Sequence, residues 1–405
     1  MSSSTSSSSA AAAASSGATA WASSGATARA NSSAIAPAIS SAAGLATPSV
    51  GRYLRCFAAV AGTIFLLLWA FIALLPTAVL DEEYPVWSAK QDMIKACDLG
   101  STIVLGDSRA VAGIIPALLP MRTTNLAFGG GTPVETYYAA RHALRCPDKP
   151  ARAIVSISMF KFVEEDIIWE RTMRFGFLSA AELHAVEAEA DALRDPALRL
   201  AANLNHVPAA ALGWLYLARF PPLYFNSLMC GCPQYRYRDN RRIEAAVLRT
   251  RGYSTFPPPI TPDRIGVEAL FEYFTPSPLL DHYFDSLIAL LVSHGIQVDL
   301  VAAPINRSTF DRISPAVRQQ FDRYLRSFAA RYPGVRLVGA TLPRWPDRYF
   351  ADVYQHMTPA GATLFSRWLE ACLLGEGCDE ATLDQWPARG RVVGRNASGG
   401  PAVLE

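Results

Sequence analysis

Three short stretches of this 405-residue chain carry residue types that could do chemistry together. In Gly106-Asp107-Ser108-Arg109 a serine follows directly on an apolar run. A tight turn at the glycine would present its hydroxyl, and the backbone N–H beside it, at the carboxyl edge of a sheet. A nucleophilic serine needs that placement; the plain alternative is a Ser or Asp that caps a helix N-terminus. Near the C-terminus His356 stands in a loop ahead of a closing helix, with Asp352 four residues earlier. A carboxylate there can hold the imidazole tautomer and stabilise the imidazolium, leaving the histidine as general base. The chain has 6 histidines, and His142, His184, His206, His282 and His294 sit in helical patterns that suit surface or packing roles, which singles out His356.

The third stretch, Asn125-Leu126-Ala127-Phe128-Gly129-Gly130-Gly131-Thr132, sets three glycines ahead of a helix start. Backbone N–H groups exposed there suit an oxyanion hole or a phosphate cradle. Neither GxxxxGKS/T nor GxGxxG occurs, so no nucleotide cofactor is expected and the oxyanion use is preferred, with Gly130 and Gly131 as candidates. Asn306, in Ala303-Pro304-Ile305-Asn306-Arg307, is a candidate for substrate binding at the same edge, against the alternative of an ordinary loop asparagine.

Residues so placed need strands that end together. Ser101–Leu105, Ala153–Ser158, Gln297–Ala302 and Val335–Val338 are short β-rich runs. Helical segments Thr132–Leu144, Leu279–Ser293 and Ala360–Leu374 alternate with them. The expected fold class is α/β: a three-layer α/β/α arrangement around a parallel sheet with right-handed crossovers. From about residue 163 to 260 the alternation breaks, and this stretch reads as a helical insertion. It holds a helical stretch Ser179–Leu204, then Pro208–Tyr224 with Trp214, Tyr216, Phe220 and Tyr224, then Arg236, Arg238, Arg241 and Arg242. Such a composition fits a packed helical subdomain or a face that meets a bilayer or a membrane partner.

Composition separates the rest of the chain. Of the first 50 residues 17 are Ala and 16 are Ser, too little to build a core, so 1–55 reads as a disordered tail. Phe57–Leu80 is uncharged over 24 residues, enough to cross a hydrocarbon core of about 30 Å as a helix. A buried globular helix and a cleaved signal peptide are the alternatives, and the long leader ahead of the run argues against the latter. Arg52 and Arg55 precede the run and Asp81, Glu82 and Glu83 follow it, which orients the N-terminus toward the cytoplasm. The expected organisation is therefore a cytoplasmic tail, a single inner-membrane span at 57–80, an extracytoplasmic (periplasmic) domain at 81–378 and a C-terminal tail at 379–405.

With a net charge of +2 and 18% charged residues there is no basic stripe for phosphate backbones, so no nucleic-acid partner is expected. Cys56 lies at the membrane edge; Cys97, Cys146, Cys230, Cys232, Cys372 and Cys378 fall in the exported part, an even number that suits an oxidising compartment. Cys97 with Cys146 and Cys372 with Cys378 are plausible bridges, although six cysteines allow about 15 pairings. No metal-ligand spacing appears, so no metal is expected.

In order and position the GDSR turn, the NLAFGGGTPVE loop and the closing Asp352, His356-x-Thr358-Pro359-x-Gly361-Ala362 resemble the SGNH/GDSL hydrolase superfamily. With the single N-terminal span they are similar to its membrane-anchored members related to alginate O-acetylation and teichoic-acid D-alanylation proteins. The resemblance covers about 101–162 and 296–374. It implies Ser108 as nucleophile, Gly130 as an oxyanion donor beside the Ser108 N–H, His356 as base and Asp352 as its orienting acid. It also implies an acyltransferase that esterifies an exported polysaccharide, supplied through a multispanning membrane-bound acyltransferase partner. An esterase with the same triad, and a noncatalytic scaffold of an envelope polysaccharide complex, are the alternatives. Two departures bear on this: the family spaces its acid and base as DxxH, and its third-block asparagine has no counterpart in Ser158-Met159-Phe160-Lys161-Phe162.

Overall fold

The structure is a computed structural model that describes residues 50–163, 168–196, 209–256 and 265–375. Its centre is a parallel sheet of β1 (Thr102–Gly106), β2 (Thr123–Asn125), β3 (Arg152–Ser156), β4 (Gln297–Val301) and β6 (Val335–Val338). A two-residue ladder joins β5 (Ile305–Asn306) to β7 (Arg344–Trp345). The sheet order is β2-β1-β3-β4-β6, with Ile103 beside Ala153 and Ile154 beside Asp299 in the register. The chain leaves β1 for one side of the sheet and then crosses to the other, so the crevice at the carboxyl ends of β1 and β3 is the place where ligands bind such sheets.

The side-chain alternation of the strands builds a core on each face. Ile103, Leu105, Ala153, Val155, Val298 and Leu300 face one cluster, which Tyr138, Leu287, Leu291, Phe321 and Phe328 complete from the helices Pro133–Ala143, Pro278–Ser293 and Pro315–Arg331. Val104, Ile154 and Val301 face the other, with Ala110, Val111, Phe365 and Trp368 from the helices Ser108–Gly113 and Pro359–Leu373. Three layers result, because a strand buried on both faces needs helices on both.

The helix starts follow from local capping. Thr132 accepts from Val134 N, and Glu135 bonds back to the Thr132 N–H at 2.8 Å, so the glycine loop runs straight into a closed helix start. Thr358 accepts from Gly361 N in the same way ahead of the last helix.

The long apolar helix near the N-terminus is Val50–Leu74, displaced from the expected 57–80. It ends where it does because Pro76 lacks an N–H and its ring collides with the preceding turn. Ala78, Val79 and Leu80 then belong to the domain core and are buried there. The expected helix Ser179–Leu204 is a helix over Ala180–Ala192 that closes at Arg194 in the left-handed region (φ 57), and residues 197–208 lie outside the described ones. Further along come the helices Ala209–Leu217, Phe225–Met229 and Pro233–Arg249. Cys97 and Cys146 form a disulfide with Cα atoms 5.5 Å apart. The tails 1–49 and 376–405, and with them Cys378, lie outside the described residues.

Candidate active site

β1 ends at Gly106, where any Cβ would lie 1.8 Å from Ser156 O on the neighbouring strand, so only glycine lets the two strands lie this close here. Asp107 takes the helix N-cap: its carboxylate accepts from Arg109 N at 2.9 Å and from Ser158 N at 2.7 Å, tying the turn after β1 to the exit of β3. Ser158 also donates its hydroxyl to Asp107. The capping role considered for this tripeptide thus falls on Asp107. Ser108 is left as the first helical residue, with a backbone N–H that has no intrahelical partner.

Ser108 lines a cavity of about 420 Å³ together with Gly129, Gly130, Phe256, Asp352 and His356. Roughly 300–1,000 Å³ is usual for a small-ligand site. His356 Nδ1 lies 2.6 Å from Asp352 Oδ2, and the His356 N–H donates to Asp352 Oδ1 at 3.1 Å. The four-residue spacing closes because Gln355 takes a left-handed conformation (φ 66) and its N–H bonds to Asp352 O at 3.2 Å. The imidazole stacks on Phe256 at 4.1 Å between centroids. Its Nε2 is buried and has no hydrogen-bond partner among the described residues, Ser108 included. The ring is therefore held in one tautomer by Asp352, with the opposite nitrogen left for a proton from the cavity.

The glycine loop divides into two roles. Gly130 lines the cavity at φ 73, and its N–H takes no hydrogen bond among the described residues. Gly131 donates to Phe128 O at 3.0 Å, and a Cβ on it would meet Gly106 O at 3.0 Å, so Gly131 serves close packing of the loop on β1. Below the loop the fully buried Lys90 donates to Ala127 O, and Asn125 Nδ2 bonds Ala110 O and Ile114 O at 2.8 and 3.0 Å. Burial pushes the Lys90 ammonium well below the ordinary lysine range.

Asn306 is not on the cavity wall. It is fully buried, caps the turn Arg307–Phe310 by accepting from Thr309 N at 2.7 Å, and its own N–H donates to Gln355 Oε1 at 2.8 Å. It braces the histidine loop from behind.

Several residues of the site were not anticipated. Arg109, 3% exposed, pairs with the fully buried Glu268 and donates to Tyr354 O at 2.9 Å, joining the serine helix to the histidine loop and to the turn Val267–Leu270. Phe160 and Lys161 occupy the wall after β3 where the asparagine was missing. Glu82, Glu83, Glu170 and Arg171 form a charged side of the same cavity. Burial raises the Glu83 carboxyl above its usual range, with Arg171, 2.9 Å away, opposing the shift. No protein-family model matches the chain, and no curated protein matches it.

Proposed function

We propose that this protein is a membrane-anchored serine O-acyltransferase of the SGNH/GDSL kind, which acetylates a hydroxyl of an exported polysaccharide through an acyl-Ser108 intermediate. The observation that carries this reading is the Asp352–His356 pair in the cavity lined by Ser108 and Gly130. Ser108 Oγ attacks the acyl carbonyl while His356 Nε2 takes its proton and returns it to the leaving group. The Ser108 and Gly130 N–H groups receive the oxyanion. In the second half a sugar hydroxyl gives its proton to His356 and displaces Ser108, which recovers a proton. Asp352 orients the ring and stabilises the imidazolium.

The anchoring part of the reading rests on the helix Val50–Leu74, whose mean hydropathy reaches 2.4 over an 18-residue window, on Arg52 and Arg55 in its first turns and on Asp81, Glu82 and Glu83 beyond its end. The Cys97–Cys146 bridge supports an oxidising, extracytoplasmic compartment. Glu82 and Glu83, on the cavity wall, follow the end of the helix by eight and nine residues, so the cavity would sit close to the membrane exit and within reach of a multispanning partner that brings acyl groups across.

Full-length protein in detergent, given an acetyl ester with and without an oligosaccharide acceptor, tests this. Acetyl should appear on the sugar, and acyl-enzyme seen by intact mass, together with fluorophosphonate labelling, should vanish in Ser108→Ala. Acetyl passing to water alone would make the protein an esterase. Equal labelling of wild type and Ser108→Ala would reject the nucleophile, and no acyl-enzyme in either would favour the scaffold.

A further inference from the structure

The insertion carries an apolar surface that water does not explain. Trp214, Phe225 and Met229 are 67%, 54% and 70% exposed. Phe220, between Trp214 and Phe225 in sequence, packs edge-on against Phe65 and Trp69 of the long apolar helix, with centroids 6.0 and 5.9 Å apart. Trp69 Nε1 also donates to Ala218 O at 2.6 Å.

These contacts fix a depth. The helix ends at Leu74. At about 1.5 Å per residue Trp69 lies about 7 Å, and Phe65 about 13 Å, back from that end. A hydrocarbon core of about 30 Å consumes about 20 helical residues, which carries a helix entering after Arg55 to about Leu75. Were the outer boundary drawn below Phe65, about ten residues would remain, far too few to span. Ala218–Phe220 therefore lies within the outer half of any bilayer that the helix crosses.

Hydrogen bonds tie the segment that leaves the helix to the insertion. Asn240 Nδ2 donates to Thr77 O and Leu80 O at 2.8 and 2.9 Å, and Arg236 Nη1 donates to Val79 O and Ser227 O, both at 2.6 Å. The segment leaving the helix is thus clamped by Pro233–Arg249. That helix sits at the level of the exit; its exposed Arg238, Arg241 and Arg242 each lie beside a carboxylate of the same helix, Asp239 or Glu244, yet with five arginines against these two acids the helix stays net positive, which suits anionic headgroups.

We propose that Trp214–Met229 is a membrane-inserted element, buried in the extracytoplasmic leaflet beside the anchor helix, with the basic face of Pro233–Arg249 at the headgroups. The proposal rests on the membrane-anchored reading above. Its occupant is lipid: continuity with the apolar helix covers the aromatic face, and the arginines above it complement anionic lipid. The exported domain is then held on the bilayer in one orientation, with its cavity at the membrane surface.

Tryptophan quenching in nanodiscs tests it with the full-length chain. Emission is compared in unmodified phosphatidylcholine and in phosphatidylcholine brominated on the acyl chains. The contribution of each ring comes from subtracting Trp214→Phe or Trp69→Phe from wild type. Bromolipid should remove the emission of both Trp69 and Trp214, while aqueous iodide should leave Trp214 unquenched. Loss of the Trp69 signal with Trp214 bright in bromolipid and quenched by iodide would overturn the inserted element and leave the anchor standing. A Trp69 signal untouched by bromolipid would overturn the anchor and the proposal with it.

Discussion

His356 and Asp352 are joined twice: the ring Nδ1 lies 2.6 Å from one carboxylate oxygen, and the backbone N–H donates to the other at 3.1 Å. Both side chains are buried, at 8% and 5% exposure. The double bond to one carboxylate fixes the ring in two ways. It sets the tautomer, and it holds the loop that presents Nε2.

Asp352→Asn separates those two effects. The amide oxygen can still accept from the His356 N–H, so the loop stays, but the amide NH₂ facing Nδ1 favours the wrong tautomer and supplies no charge for the imidazolium. A fall in acyl-enzyme formation of about 10²–10⁴ is expected, with little change in the thermal midpoint. Rate measurements beside melting curves check it. A variant as active as wild type would remove Asp352 from the mechanism.

The Arg109–Glu268 pair is the second structural test. Both partners are almost fully buried, and Glu268 Oε2 has no hydrogen-bond partner among the described residues. Arg109→Met would leave a buried carboxylate without its cation, at a cost of about 3–5 kcal/mol. Adding Glu268→Gln should restore a good part of this, because a neutral amide is cheaper to leave in that pocket. Urea denaturation of the single and double variants measures it. Equal losses in both would show that the charge pair is not the cause.

The parallel strands were readable because β-branched and leucine-rich runs stand out locally; β1, β3, β4 and β6 fall within about two residues of the runs in the sequence. β2 did not stand out, since Thr123-Thr124-Asn125 has no apolar residue and is a strand only through its pairing with β1. Ser108, Gly130, Asp352 and His356 were found because each sits in a local turn or loop pattern, and the structure brings them to one cavity. Arg109 to Glu268 spans 159 positions and Lys90 to Ala127 spans 37, so nothing in a local window marks either charge as buried. Gln355 is one residue from His356, yet its left-handed backbone becomes visible only when the loop closes.

Lys90 gives a pH dependence whose sign can be worked out. In the unfolded chain it keeps its proton up to about its ordinary value of 10.5, whereas in the folded protein burial makes it release that proton at much lower pH. Between the two values the unfolded state binds more protons, so stability rises with pH there, by up to about 1.4 kcal/mol per pH unit for one proton. Below the folded value the full penalty is present. The buried tyrosines with raised pKa, Tyr138 among them, act in the opposite direction only above pH 10 or so. Stability followed through the mildly alkaline range up to about pH 9.5 should therefore climb less in Lys90→Met than in wild type. Parallel curves for the two would place the proton release elsewhere.

The Cys97–Cys146 bridge closes a loop with a sequence separation of 49. Chain-entropy reasoning gives such a loop about 4 kcal/mol, within the usual range of about 2–4. The bridge joins the end of Tyr84–Lys95, which carries Lys90 beneath Ala127, to the region just after Pro133–Ala143, whose start is the Thr132 cap of the glycine loop. Its removal should therefore lower stability, and reach the cavity of Ser108 and His356 only through the spacing of those two helices. Cys97→Ser with Cys146→Ser, made together so that no odd thiol is left, should lose about 2–4 kcal/mol in denaturant. Reductant should bring wild type down to the same stability and leave the double variant unchanged. Acyl-enzyme formation below the unfolding transition should fall far less than in Asp352→Asn, because the bridge touches neither Ser108 nor His356. If reductant has no effect on wild type while the double variant is weakened, the loss comes from the serine substitutions and not from the cross-link.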